Sequence, residues 1–137
     1  MWPTHCVQGS AGADFAPALA RAPGDVVVRK GAARLVDSYS GFGDAAGNAH
    51  ERTALEGALR AAGATHLVVV GLALDWCVSA TCRDAARLGF PAFVVLEGCR
   101  GIDAGGRVAS ELAALRGLGV VVVERAEELP GALFARA

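Results

Sequence analysis

The sequence predicts an α/β domain built on a mostly parallel sheet, and three features carry that expectation. Four short runs rich in β-branched residues punctuate the chain: Val26-Val27-Val28, Leu67-Val68-Val69-Val70, Phe93-Val94-Val95-Leu96 and residues 120–123. Each run is continuously apolar rather than alternating, the pattern of strands buried on both faces. The intervals between them hold apolar residues at helical spacing, and each such stretch closes near a glycine. Strand and helix alternating in this way favours parallel pairing through right-handed crossovers. At 137 residues the chain fits one domain, residues 1–137.

The first 25 residues lack periodicity and read as a loop, with Gly9, Gly12, Pro17, Pro23 and Gly24 as turn formers. The Val26 strand follows, then a second long loop over residues 31–47, a length that is often functional. Asn48 and Glu51 have the spacing of a capping box, and Leu55, Ala58, Leu59 and Ala62 form one helical face before Gly63. After the Leu67 strand, a second helix is expected from about Cys77 to Leu88, stopped by Gly89. A third carries Val108, Leu112 and Leu115 on one face and ends near Gly119. Pro130, tolerated in a first turn, opens a short terminal helix.

Composition narrows the function classes. The formal charge is −1, and the 13 basic residues are scattered without a run, which argues against a nucleic-acid or membrane-surface partner. The longest apolar stretch, residues 67–74, is far too short to span a bilayer. No charged region followed by an apolar stretch opens the chain, so a cytoplasmic location is expected. The four cysteines, Cys6, Cys77, Cys82 and Cys99, show no Cys-x-x-Cys pair and are expected as free thiols. Cys82 and Cys99 read as small buried hydrophobes.

Chemistry in open α/β sheets gathers outside the carboxyl ends of the strands. Lys30 closes the Val26 strand, and Cys77 follows the Leu67 strand after a brief turn. A thiol at a helix start feels the positive end of the backbone dipole, and a nearby ammonium acts in the same sense. The pair is therefore a candidate nucleophile and its cation, against the plainer alternative of a packed cysteine and a solvated lysine. The glycine-rich stretch 41–47 has the wrong spacing for a dinucleotide loop and no strand before it. His5 alone cannot build a metal centre. His50 and His66 read as surface residues.

At this point three blocks become recognisable. Met1-Trp2-Pro3-Thr4-His5-Cys6-Val7-Gln8-Gly9 resembles the Trp-Pro-x-His-Cys-Val-x-Gly segment of nicotinamidases. Lys30-Gly31 with Asp37-Ser38-Tyr39-Ser40-Gly41-Phe42 resembles the next block, and Gly71-Leu72-Ala73-Leu74-Asp75-Trp76-Cys77-Val78 the nucleophile motif. Their order and extent are those of the isochorismatase-like cysteine hydrolases, a three-layer Rossmann-like fold, and the first block narrows the likeness to the nicotinamidase branch. The resemblance implies hydrolysis of nicotinamide to nicotinic acid and ammonia through a cysteine thioester, a step of NAD salvage. It implies Cys77 as nucleophile and Lys30 as its partner in an Asp-Lys-Cys triad. Trp2 and Tyr39 would line the substrate pocket. A cis peptide at Ala73–Leu74 would aim the Leu74 and Cys77 amides at an oxyanion, and His5 would be one ligand of a divalent metal, zinc in many members. A homo-oligomer is left open.

Other parts of the family pattern have no counterpart here. The triad aspartate and the remaining metal ligands belong upstream of the Trp-Pro block, and Asp75 reads as a structural or metal-region residue rather than the base. The family sheet has six strands in the order 3-2-1-4-5-6, of which this sequence supplies four, the missing two falling between the Val26 and Leu67 strands. The resemblance thus implies an N-terminally truncated domain, of low stability and impaired activity, from an internal start codon or a true gene fragment. Two alternatives stand beside it: a related hydrolase of another small amide, and a non-catalytic α/β interaction module.

Overall fold

The computed structural model describes residues 3–33, 36–43 and 52–134. Along the chain these form α1 (Leu55–Ala61), β1 (Leu67–Leu72), a wide helical turn (Leu74–Val78), α2 (Ser79–Arg87), β2 (Ala92–Arg100), α3 (Arg107–Gly117) and β3 (Val121–Val123). Short 3-10 turns at Ala11–Ala13, Ala126–Glu128 and Gly131–Phe134 complete them, the last following Pro130 as expected. The strands pair in the order β1-β2-β3, both ladders parallel. The α/β class and the parallel sheet read from the sequence are present.

The helices end where their glycines allow. Gly63, Gly89 and Gly119 have φ of 66°, 81° and 81°, the left-handed conformation that stops a helix cheaply. The expected capping box at Asn48 and Glu51 lies outside the described residues. Thr53 acts at the start of α1 instead, its Oγ1 accepting the Leu55 N–H at 3.2 Å. At α3 the Asp103 carboxylate accepts the Val108 N–H at 3.0 Å.

Successive residues of β2 supply two separate cores, as the pleat requires. Ala92 and Val94 face a larger cluster with Cys82, Ala85, Leu115 and Val120, against which Leu59, Val108 and Leu112 pack. This is the face all three helices cover. Phe93 and Val95 face the other way, towards Val123, Leu129 and Leu133, so a terminal turn rather than a helix shields that side. Val68, Val70 and Leu72 on β1 are left exposed.

One expected strand is absent. The Val26-Val27-Val28 run forms no ladder, so the described sheet has three strands rather than the four expected. Val26 is 74% and Val27 42% exposed. Strand preference expresses a fit to a half-buried pleated surface and needs a paired neighbour, which this segment lacks among the described residues. It borders a groove with Phe15 and Leu19, whose walls do not include Cys77. No helix of the described residues is long and apolar enough to cross a membrane.

Candidate active site

The carboxyl end of β1 delivers the chain into the turn that holds Cys77. The Val78 N–H and the Trp76 N–H both donate to the Ala73 carbonyl at 3.1 Å, the longer reach of the first making the turn wider than an α-helix. Such single wide turns recur at functional sites. Leu74, Asp75 and Val78 are buried and anchor the turn, whereas Trp76 and Cys77 remain half-buried. Cys77 thus sits inside the first turn of a helical run continuing into α2, slightly later than the helix start expected for it. The cis peptide is Leu72–Ala73, one bond earlier than the expected Ala73–Leu74. That bond joins the last residue of β1 to Ala73, whose backbone is extended, and the helical turn starts at the next residue, Leu74.

Lys30 reaches this turn from 47 residues away. Its Nζ lies 3.6 Å from Cys77 Sγ and donates to the Ser38 carbonyl at 2.9 Å. The contact brings the ammonium within hydrogen-bond reach of the sulfur at the carboxyl end of β1. Among the described residues no carboxylate pairs with Lys30. Tyr39 stands beside the same turn, its ring centroid 5.4 Å from that of Trp76. Trp2 lies outside the described residues.

Thr81 joins the loop to the helix, a role the sequence did not disclose. Its Oγ1 donates to the Cys77 carbonyl at 2.7 Å and accepts the Gly41 N–H at 2.8 Å. Thr53 holds the other side of Gly41, donating to its carbonyl at 2.6 Å. The loop carrying Ser38 and Tyr39 is therefore fixed to the helix bearing Cys77. The four-residue spacing from Cys77 to Thr81 was the available clue, since a helical hydroxyl bonds back to the carbonyl one turn earlier.

Asp75 is wholly buried, and its two oxygens accept the N–H groups of Ile102 and Asp103, each at 2.9 Å. Burial pushes its pKa up, but those donors and the Arg107 guanidinium outweigh it and leave the carboxyl below its usual value. Its place is structural: it ties the β2–α3 loop to the nucleophile turn. Gly101 makes the approach possible, because a Cβ there would come within 3.2 Å of Asp75 Oδ1 and 2.4 Å of Val108 Cγ2.

The remaining thiols divide by burial. Cys82 and Cys99 are buried as expected, and burial pushes the Cys82 thiol up to about 12 and raises Cys99 as well. Cys6 is exposed. His5 is exposed, with Nδ1 2.7 Å from the Pro3 carbonyl. A carbonyl only accepts, so Nδ1 carries the proton and Nε2 is the nitrogen free to ligate. The donor count does not fit a metal, however: among the described residues no three His, Cys, Asp or Glu side chains gather to hold one.

The model of the isochorismatase domain matches residues 1–127. The chain belongs to the isochorismatase family. Among curated members it is 40% identical over 106 residues to a nicotinamidase of Acinetobacter baylyi, covering 77% of this chain and 49% of that protein. It is 43% identical over 102 residues to a nicotinamidase of Escherichia coli, covering 74% and 47%. Two solved structures are similar. One, from L. infantum in complex with nicotinate, superposes with a TM-score of 0.83 at 36% identity over 95% of this chain and 63% of that one. The other, a pyrazinamidase of Pyrococcus horikoshii in complex with zinc, gives 0.78 at 29% identity over 90% and 63%. This isochorismatase chain spans about half the length of the curated relatives it matches.

Proposed function

We propose that this chain carries the thiol half of a nicotinamide-hydrolysing site, with Cys77 as nucleophile and Lys30 as the cation beside it. The observation that carries the reading is the 3.6 Å approach of Lys30 Nζ to Cys77 Sγ at the carboxyl end of β1, in a chain similar to nicotinamidases. The sulfur adds to the carboxamide carbon, the C–N bond breaks, and ammonia leaves with a proton, giving a nicotinoyl thioester. Water then forms the new C–O bond, the C–S bond breaks, and nicotinic acid departs with the thiol restored. Both steps move protons, and a carboxylate beside the pair would carry them. The ion pairs among the described residues give Lys30 no such partner. Leu74 and Cys77 are the proposed amide donors to the developing oxyanion, on the turn that follows Ala73, and Tyr39 the described wall of the substrate pocket.

The similar pyrazinamidase in complex with zinc supports a divalent metal at this kind of site. His5 is the residue of this chain that the family likeness assigns to such a metal, with Nε2 not engaged by the Pro3 carbonyl. Because the described donors are too few to form the centre, no step is routed through it.

Ammonia release from nicotinamide tests the proposal, measured for this chain and for an upstream-extended polypeptide. Activity in the longer protein that disappears in Cys77→Ala and Lys30→Ala is the expected result. Full activity in Cys77→Ala would end the proposal. Preference for another small amide in a substrate panel would favour a related hydrolase. A folded protein with no ammonia release and no selective labelling of Cys77 would favour an interaction module.

A further inference from the structure

Arg107, at the start of α3, contacts the nucleophile turn through the face and one edge of its guanidinium. Its Cζ lies 4.0 Å over the Trp76 ring, and its Nε donates to the Asp75 carbonyl at 2.9 Å. Its Nη2 pairs with Glu111 Oε1 at 3.2 Å, and the other oxygen of Glu111 pairs with Arg83 on α2. Glu111 is only 12% exposed, so this carboxylate is a fixed anchor rather than a solvated surface charge. The result is a closed circuit: α2 holds Glu111, Glu111 aims Arg107, and Arg107 clasps the two residues immediately before Cys77.

We infer that Arg107 is a positioning residue for Cys77, setting the pitch of the turn and the tilt of the Trp76 ring so that the sulfur meets Lys30. The inference rests on the proposed role of Cys77. Arginine suits the task because one planar group stacks on an aromatic face while its edge donates in two directions. A lysine retains the charge but cannot satisfy the indole face, the carbonyl and the carboxylate together. The stacked face of Trp76 lies towards Arg107, and Tyr39 packs 5.4 Å from the same ring, so releasing Arg107 also loosens the aromatic pair beside the thiol.

The test needs no turnover. In a Cys6→Ser, Trp2→Phe background, iodoacetamide reads the accessible thiol, assigned by Cys77→Ala, and fluorescence reads the remaining Trp76. Arg107→Ala should slow Cys77 alkylation by about fivefold, because small displacements of a reacting atom are costly. It should also shift Trp76 emission to the red. Arg107→Lys should recover part of both. Leu112→Ala, a truncation on α3 packed against the same core, should lower stability while leaving both readouts near the parent values. Unchanged alkylation and emission in Arg107→Ala would overturn the inference, as would equal changes in Leu112→Ala. Arg107-dependent alkylation supports the inference whatever the substrate; ammonia release from nicotinamide, measured separately in the upstream-extended protein with Trp2 intact, tests the substrate assignment alone.

Discussion

Replacing Asp75 by asparagine removes one carboxylate oxygen from a place with no access to water. The aspartate is 0% exposed and accepts two backbone N–H groups at 2.9 Å. Asparagine keeps one acceptor and turns its NH₂ towards the other N–H. A buried donor left unsatisfied costs about 1–3 kcal/mol, more where the lost partner was charged, so about 2–3 kcal/mol is expected. For a chain of 137 residues, about 3–5 °C accompanies each kcal/mol, giving a fall in Tm of about 6–15 °C. The same group sets a pH dependence. Its folded value lies below the ordinary 3.8, so its stabilisation is complete above that value and is lost as pH falls through the depressed one. Thermal melts followed by circular dichroism at pH 6 and near pH 3 test both parts. A Tm for Asp75→Asn within about 3 °C of the parent at pH 6 would refute the argument, as would parallel acid losses in the two proteins.

Two further outcomes follow from burial. Cys82 and Cys99 should resist alkylation in the native protein at pH 8 and react in urea. The Cys82 contribution to stability, whole below the ordinary 9.0, should fade as pH rises towards about 12, seen as a declining urea midpoint. The second concerns β1, an edge of the described sheet with Val68 and Val70 43% and 53% exposed. Light scattering should rise with concentration, and Val68→Lys should suppress it, since edge charges oppose strand addition. A sharp, cooperative melt with no scattering would contradict this expectation of a weak, self-associating sheet.

The sequence disclosed what local pattern controls. The runs at Leu67, Phe93 and Val120 became strands because each β-branched run found a parallel neighbour, although only the Phe93 run is buried on both faces, and Gly63, Gly89 and Gly119 stopped the helices. Val26-Val27-Val28 had the same composition without a pairing neighbour, so propensity alone misled. At the site, Cys77 was expected from its place after the Leu67 strand, whereas Lys30 follows a run that forms no strand and was reached through the family blocks. Their approach closes through tertiary structure, as do the contacts of Arg107 with Trp76 and Asp75, which no spacing along the chain encodes. Asp75 was recognisable as structural, although its partners Ile102 and Asp103 were not.

The wide turn at Leu74–Val78 has a consequence for phase. An extra residue wound into one turn displaces everything before Ser79 by about 100° relative to an unbroken helix. Deleting a single residue there would make the helix more regular while rotating the sulfur away from the ammonium. Chain length in this segment, and not side-chain identity alone, therefore sets the direction in which position 77 points.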